Sequence, residues 1–322
     1  MTTPTTHIRI GISSCLVGQP VRFDGNHKHD HYITGTLGTV FEFVPVCPEV
    51  GIGLGTPRPT IHLVGAAETP RAVGVKVADL DVTDKLVRYG QRMAGKLSDL
   101  SGYIFKSKSP SCGMERVRLY DGPGHKGGGG SKQGVGLYAR EIMQAHPLLP
   151  VEEEGRLGDP LLRDNFLECV FTYHRWQQLN TQRLTPKRLV EFHTRHKLSI
   201  MAHSTEQYRA LGQLVATAGT RPIRELTDEY AALLMQTLRR RATTRRHTNV
   251  LMHILGYLKK NLSSVDKQEL LELIEGYRLD RVPRIVPITL LKHHFRNYPN
   301  AYIADQTYLN PDPLELKLRS FY

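Results

Sequence analysis

Aromatic residues are scarce, at 7% with a single tryptophan, but 40% of the 322 residues are hydrophobic and 23% are charged. The scarcity therefore does not signal disorder, and the apolar content suffices for a large core. Cysteine is scarce too: Cys15, Cys47, Cys112 and Cys169 are the full set. Four thiols in a chain of this length do not make a disulfide framework, and no two stand in the C-x-x-C spacing of a zinc knuckle. Histidine is plentiful, but no H-E-x-x-H motif occurs, which removes the usual zinc-hydrolase pattern. No run of eighteen apolar residues is present, so no membrane-spanning helix is expected. The stretch MTTPTTHIRIGISS lacks a charged segment followed by an apolar core, so a cytoplasmic protein without a secretory leader is expected. Gly51-Ile-Gly-Leu-Gly55 runs into Pro57 and Pro59 rather than a helix. It reads as a tight loop, and no nucleotide cofactor is expected.

What is present is positive charge. Lys and Arg number 43 against 31 Asp and Glu, a net charge of +12 spread over both halves of the chain. Such an excess favours a polyanionic partner, with nucleic acid ahead of a membrane surface.

The two halves differ in pattern. Up to about residue 155, short apolar runs alternate with Gly-rich loops. HIRIGIS (7–13), VFEFVPV (40–46) and SGYIFK (101–106) read as strands. A helix is expected after Thr83, with Leu86, Met93, Leu97 and Leu100 on one face and Thr83 as its cap. The reading is an α/β domain, residues 1–155, with a largely parallel sheet. Asp121–Ser131, with four consecutive glycines, reads as a loop inside this domain. From about 160 to 322 helical punctuation dominates, as in Thr185-Pro186 opening KRLVEFHTRHKLSIMAH. That half reads as an all-α domain, with the acidic, proline-flanked stretch Pro150–Pro160 as the seam.

Three cysteines follow three predicted strands. Cys15 follows IRIGIS, Cys47 follows FEFVPV, and Cys112 follows GYIFK after a short Ser/Lys/Pro loop. In a parallel sheet the carboxyl ends of the strands share one edge, where ligands bind. Three thiols far apart in sequence would converge there. They could be small buried apolar groups, ligands of a structural zinc ion, or three ligands of an iron–sulfur cluster that leaves one iron open. Cys169, inside the helical pattern NFLECVFTYH, reads as a core residue.

The segments that carry these cysteines are GISSCLVGQPVRFDG (11–25), FVPVCPEVGIGLGTPRP (43–59) and KSKSPSCG (106–113). They resemble the thiouracil desulfidase (TudS-like) family. With the later stretches CVFTYHRW (169–176) and ATTRRHTNVLMHILGYLKK (242–260), the whole arrangement is similar to the two-domain RudS-type tRNA 4-thiouridine desulfidases. The resemblance implies a [4Fe-4S] cluster on Cys15, Cys47 and Cys112, with the fourth iron free to take the thiocarbonyl sulfur. It implies that sulfur leaves as sulfide while the pyrimidine gains oxygen from water, and that the partner is thiolated tRNA. It also places Glu49 at the mouth of the cluster as the candidate proton-transfer group. Ser109 and Ser111 flank Pro110, and Ser109 is the first choice for a hydroxyl that touches substrate. Arg22, Asp24 and Lys28 are candidates to line the site.

Arg239, Arg240, Arg241, Arg245 and Arg246, with Lys259 and Lys260 further on, form the candidate RNA-binding surface, which would act through phosphate contacts. Tyr173, Trp176 and Tyr257 are stacking or core residues, and His193 and His196 share a helix face. Two other functions remain open: desulfuration of a free thiobase, and a non-catalytic iron–sulfur sensor that binds RNA.

Overall fold

The computed structural model describes residues 8–77, 79–122, 129–181 and 183–319. The chain divides into two compact units, Met1–Gly158 and Asp159–Tyr322.

The first unit is α/β. Its elements are β1 (Ile8–Ser13), α1 (His31–Gly35), β2 (Phe41–Val46), α2 (Pro48–Gly51), β3 (Ile61–Val64), β4 (Arg71–Gly74), α3 (Thr83–Lys96), β5 (Gly102–Phe105), β6 (Val117–Tyr120), β7 (Ser131–Gly134), α4 (Leu137–Ala145) and β8 (Val151–Glu153). One sheet has the order β2-β1-β5-β8, and all its pairings are parallel. Strand β1 lies inside it, with Ile10 and Ile12 fully buried, as a strand covered on both faces requires. The second sheet, β4-β3-β6-β7, is mixed: β3 and β6 are parallel, while β4 and β7 pair antiparallel at its edges. Leu63, Leu86, Val117, Leu119 and Leu137 form the core beneath it.

Several expectations change in detail. Thr83 is the first residue of α3 and not its cap; Asp81 Oδ1 accepts its amide hydrogen at 2.9 Å. Val151–Glu153 lies in the expected seam but is a strand, with Glu152 and Glu153 buried. Of the expected loop Asp121–Ser131, residues 123–128 lie outside the described residues, and Ser131 already begins β7.

The second unit is mostly helical: α5 (Pro160–Asn180), α6 (Pro186–His203), α7 (Thr205–Ala216), α8 (Ile223–Leu238), α9 (Thr244–Gly256), α10 (Ser264–Arg278), α11 (Ile285–Asn297), α12 (Ala301–Ala304) and α13 (Pro313–Leu318). Asp159, Thr185, Ser204, Thr243 and Ser263 each cap a helix through the side chain, which satisfies amides that the helix itself leaves open. Val250, Leu251, Ile254, Leu270, Ile288 and Leu291 lie in its main core. Cys169 is buried, with its thiol 3.4 Å from Leu238 O. Among the described residues, no helix is long and apolar enough to cross a membrane.

Candidate functional site

The parallel register of β1 with β2 and β5 brings three strand ends to one edge. Chain direction then sets the site. Ser14–Val17 turns tightly out of β1 and carries Cys15, and Gly18 ends the turn at φ 89°. Cys47 is the residue before α2, where Pro48 supplies the first helical position. Cys112 sits in the loop after β5. That loop is clamped by the start of α4: Leu137 N–H donates to Pro110 O at 3.1 Å, and Tyr138 N–H to Ser111 O at 3.0 Å. A side chain at Gly136 would put its Cβ 2.6 Å from the Ser111 backbone, so only glycine allows this approach.

All three cysteines line one cavity of about 380 Å³. Cys15 and Cys112 are buried, and Cys47 is partly exposed. Burial pushes the Cys15 thiol up to about 11; the Cys47 charge adds to this and Lys106 opposes it. Burial likewise raises Cys112 well above the ordinary thiol range, with Cys47, Glu49 and Cys15 pushing the same way. Cys47 is also raised, mainly by burial. The three thiolates therefore repel one another in a poorly solvated place. A set like this is stable as thiolates only around a strongly cationic guest.

The donor chemistry and the space fit an iron–sulfur cluster, in which each thiolate binds a different iron. A single ion fits less well. Among the described residues, no three His, Cys, Asp or Glu side chains are grouped closely enough to hold one metal ion.

Glu49 is in the first turn of α2 and lines the same cavity. Its carboxylate is held from two sides. Arg58 Nε and Nη2 both lie 2.7 Å from Oε2, and Ser111 Oγ donates to Oε1 at 2.8 Å. Arg58 also donates to Gly55 O at 2.9 Å, so the loop after α2 helps to hold the guanidinium. Ser109 lines the cavity, and its Oγ accepts the amides of Ser111 (3.3 Å) and Cys112 (3.1 Å), which shapes the cysteine loop. Arg22 and Lys28 line the cavity, whereas Asp24 caps a local turn at Asn26.

The sequence reading missed Arg58, Lys106 and Ser13. Lys106 pairs with Glu154 and donates its amide to Ser13 Oγ at 2.9 Å, which ties the end of β5 to β1. Nothing in the local pattern marks these residues, because each partner comes from another strand or loop.

Comparison with known proteins follows this division. Residues 10–154 match the model of the 2-thiouracil desulfurase family. Residues 197–313 match a family described as a protein of unknown function, DUF1722. The uncharacterized protein YbgA of Escherichia coli (strain K12) is 34% identical over 157 residues, which is 48% of this chain and 93% of YbgA. The chain belongs to the family of YbgA, and its first unit carries a 2-thiouracil desulfurase domain. A solved structure described as a [4Fe-4S]-dependent thiouracil desulfidase, TudS, is 32% identical, covering 47% of this chain and 93% of that one with a TM-score of 0.37.

In the second unit, the expected basic surface is two clusters. Arg239, Arg240 and Arg241 are exposed where α8 ends, and Arg245 and Arg246 are in the first turn of α9. Lys259 and Lys260 lie beyond the other end of α9, roughly 20 Å away at the rise of an α-helix. Arg241 and Arg245 also line a cavity of about 270 Å³ with Asp164, Glu168, Arg284 and Arg319. Trp176 is in the core, against Phe192 and Tyr230, while Tyr257 is half-exposed beside Tyr302. His193 meets the Tyr230 hydroxyl at 3.2 Å, and His196 holds Phe192 O at 2.7 Å.

Proposed function

We propose that the protein is a desulfidase that converts 4-thiouridine in tRNA to uridine and hydrogen sulfide, and that its reaction occurs in the cavity lined by Cys15, Cys47 and Cys112. The observation that carries this reading is the convergence of three thiols on one cavity beside a clamped carboxylate, inside a 2-thiouracil desulfurase domain. The three cysteines would hold a [4Fe-4S] cluster, which supplies a Lewis-acidic iron with a position open to a soft sulfur ligand.

The residues of the chain do the rest. Glu49 takes a proton from the water that adds to the thiocarbonyl carbon, and its two supports keep the carboxylate facing the cavity. Ser109 and Ser111 hold the Cys112 loop and the base in register. The carbon–sulfur bond breaks, the sulfur leaves as sulfide and the carbon keeps the oxygen of water. Oxidation states balance, so no electron donor is required. A net charge of +12 and the arginines around the start of α9 favour a polynucleotide over a free base, because they attract phosphates.

Anaerobic purification with iron and sulfide analysis, followed by incubation with thiolated tRNA, tests this reading. About four iron atoms per chain are expected, together with loss of the near-ultraviolet thiouridine absorbance and release of sulfide. Protein that stays free of iron after reconstitution, or iron-loaded protein that leaves both thiolated tRNA and free thiouracil unchanged, overturns it.

A further inference from the structure

A second cavity of the first unit, about 650 Å³, shares a wall with the cysteine cavity. Ile61, Ser107, Lys108 and Pro110 line both. Its volume falls within the range of roughly 300–1,000 Å³ typical of small-molecule sites. Four exposed cations line it: Lys108, Arg116, Arg118 and Lys132. None of them makes an ion pair among the described residues. The two carboxylates on its walls are already engaged, Glu115 with Arg156 at 3.0 Å and Glu153 with the Met114 amide at 3.0 Å. One side carries a pair of rings, His62 and Tyr120, with centroids 5.1 Å apart and planes inclined by 35°.

The backbone adds a separate observation. Lys108 and Arg116 bracket the Cys112 loop, and both have positive φ, 60° and 54°. Glycine adopts this region at less cost. Both positions instead carry a cation, and both side chains reach the second cavity. Strained backbone of this kind is concentrated at functional sites.

We propose that this cavity seats the nucleotide next to the reacting one in a single-stranded stretch of RNA, with phosphates on Lys108, Arg116 and Arg118 and the neighbouring base against Tyr120. The proposal rests on the reading of the cysteine cavity as the place where a thiolated pyrimidine reacts, and it assigns the adjoining space to the rest of the polynucleotide. Stacking on one ring with cations alongside is the usual way of holding single-stranded nucleic acid. A free phosphate would need neither the rings nor this volume.

The test is binding of a short fluorescent oligouridylate without thiolated bases, by the full-length protein kept anaerobic. The double variant Arg116→Gly/Arg118→Ala keeps the left-handed backbone and removes two cations. Lys85→Ala/Arg88→Ala, which removes the same charge from the exposed face of α3, is the control. The groove variant is expected to bind at least tenfold more weakly, with the slope of log affinity against log salt reduced by about 1.4, as for two lost single-strand phosphate contacts. The control is expected to stay within twofold. Equal losses in both variants, or none in the groove variant with an unchanged melting temperature, overturn the proposal. The oligomer carries no sulfur, so a groove-specific loss in a protein that fails to desulfurate would keep the groove and remove the function.

Discussion

Ser111 Oγ donates to Glu49 Oε1 at 2.8 Å across 62 residues of sequence, joining the loop of the third cysteine to the helix that follows the second. The serine is fully buried, so the bond is not exchanged for one to bulk water. Ser111→Ala should leave the iron content unchanged and lower kcat by about 10- to 100-fold, the size of a lost hydrogen bond of about 1.5–3 kcal/mol to a charged group. Glu49→Gln keeps the shape but cannot accept the proton, and kcat should fall by at least about 100-fold. Sulfide release under saturating substrate measures both. Full activity in Glu49→Gln would remove this carboxylate from proton transfer.

The cysteines should separate into two groups. Alanine at Cys15, Cys47 or Cys112 should abolish stable iron binding and the brown absorbance of anaerobically purified protein. Cys169→Ala should keep both, because Cys169 is buried in the second unit with its thiol on Leu238 O. Iron per chain in the four variants decides the matter.

The second unit depends on a buried ion network. Arg319 lies 3.1 Å from Glu168 and 3.0 Å from Glu315, all three side chains nearly inaccessible. Burial works against a charged Glu168, but Arg319 and then His203 outweigh it and hold the carboxyl well below its usual range. Arg319→Met should cost about 3–5 kcal/mol, because it leaves a buried charge uncompensated. Adding Glu168→Met should recover much of that loss. Urea unfolding of the single and double variants provides the cycle.

Acid should weaken the same unit before it weakens ordinary carboxylate pairs. Burial lowers His196 from 6.5 to about 3, with Arg175 adding to the effect, and lowers His193 from 6.5 to about 4. A depressed folded value means that the unfolded chain binds these protons more readily. The stabilisation is therefore complete above pH 6.5 and is lost as pH falls from there toward 3 and 4. Arg175 Nε donates to His196 Nε2 at 3.1 Å, and protonation would end that bond. Melting temperature should fall steadily below pH 6.5, and His196→Leu should flatten part of the slope. A flat profile down to pH 4 would contradict this account.

Ionic strength should distinguish the two substrate classes. Turnover of thiolated tRNA should drop steeply between low and moderate salt, whereas turnover of neutral free thiouracil should change little. Parallel salt profiles for the two substrates would argue against a phosphate-reading surface.

The site was readable from the sequence where a simple rule links position to space. Parallel strands put their carboxyl ends on one edge, so cysteines just after IRIGIS and FEFVPV, and one after GYIFK, had to meet. The strands of the second sheet were not readable. SKQG and RAVG have four residues each and no apolar alternation, and they are strands because β3 and β6 offer open edges. The pairing of Arg58 with Glu49 was equally hidden, since a glycine-rich turn and Pro57 lie between them. Ser109 illustrates a different limit: sequence places a hydroxyl near the cysteine, but only coordinates show that it receives the amides of its own loop.

Strand β8 has a practical consequence for anyone who would divide this protein. Its three residues lie where the acidic, proline-flanked composition invites a cut, yet they complete the edge of the sheet that carries the cysteines, and Glu154 just beyond them grips Lys106 and Ser107. A fragment ending at Pro150 would expose the flank of β5 and release the anchor of the third thiol's loop. A fragment of the N-terminal half should therefore keep β8 and Glu154, past the point where its composition already looks like a linker.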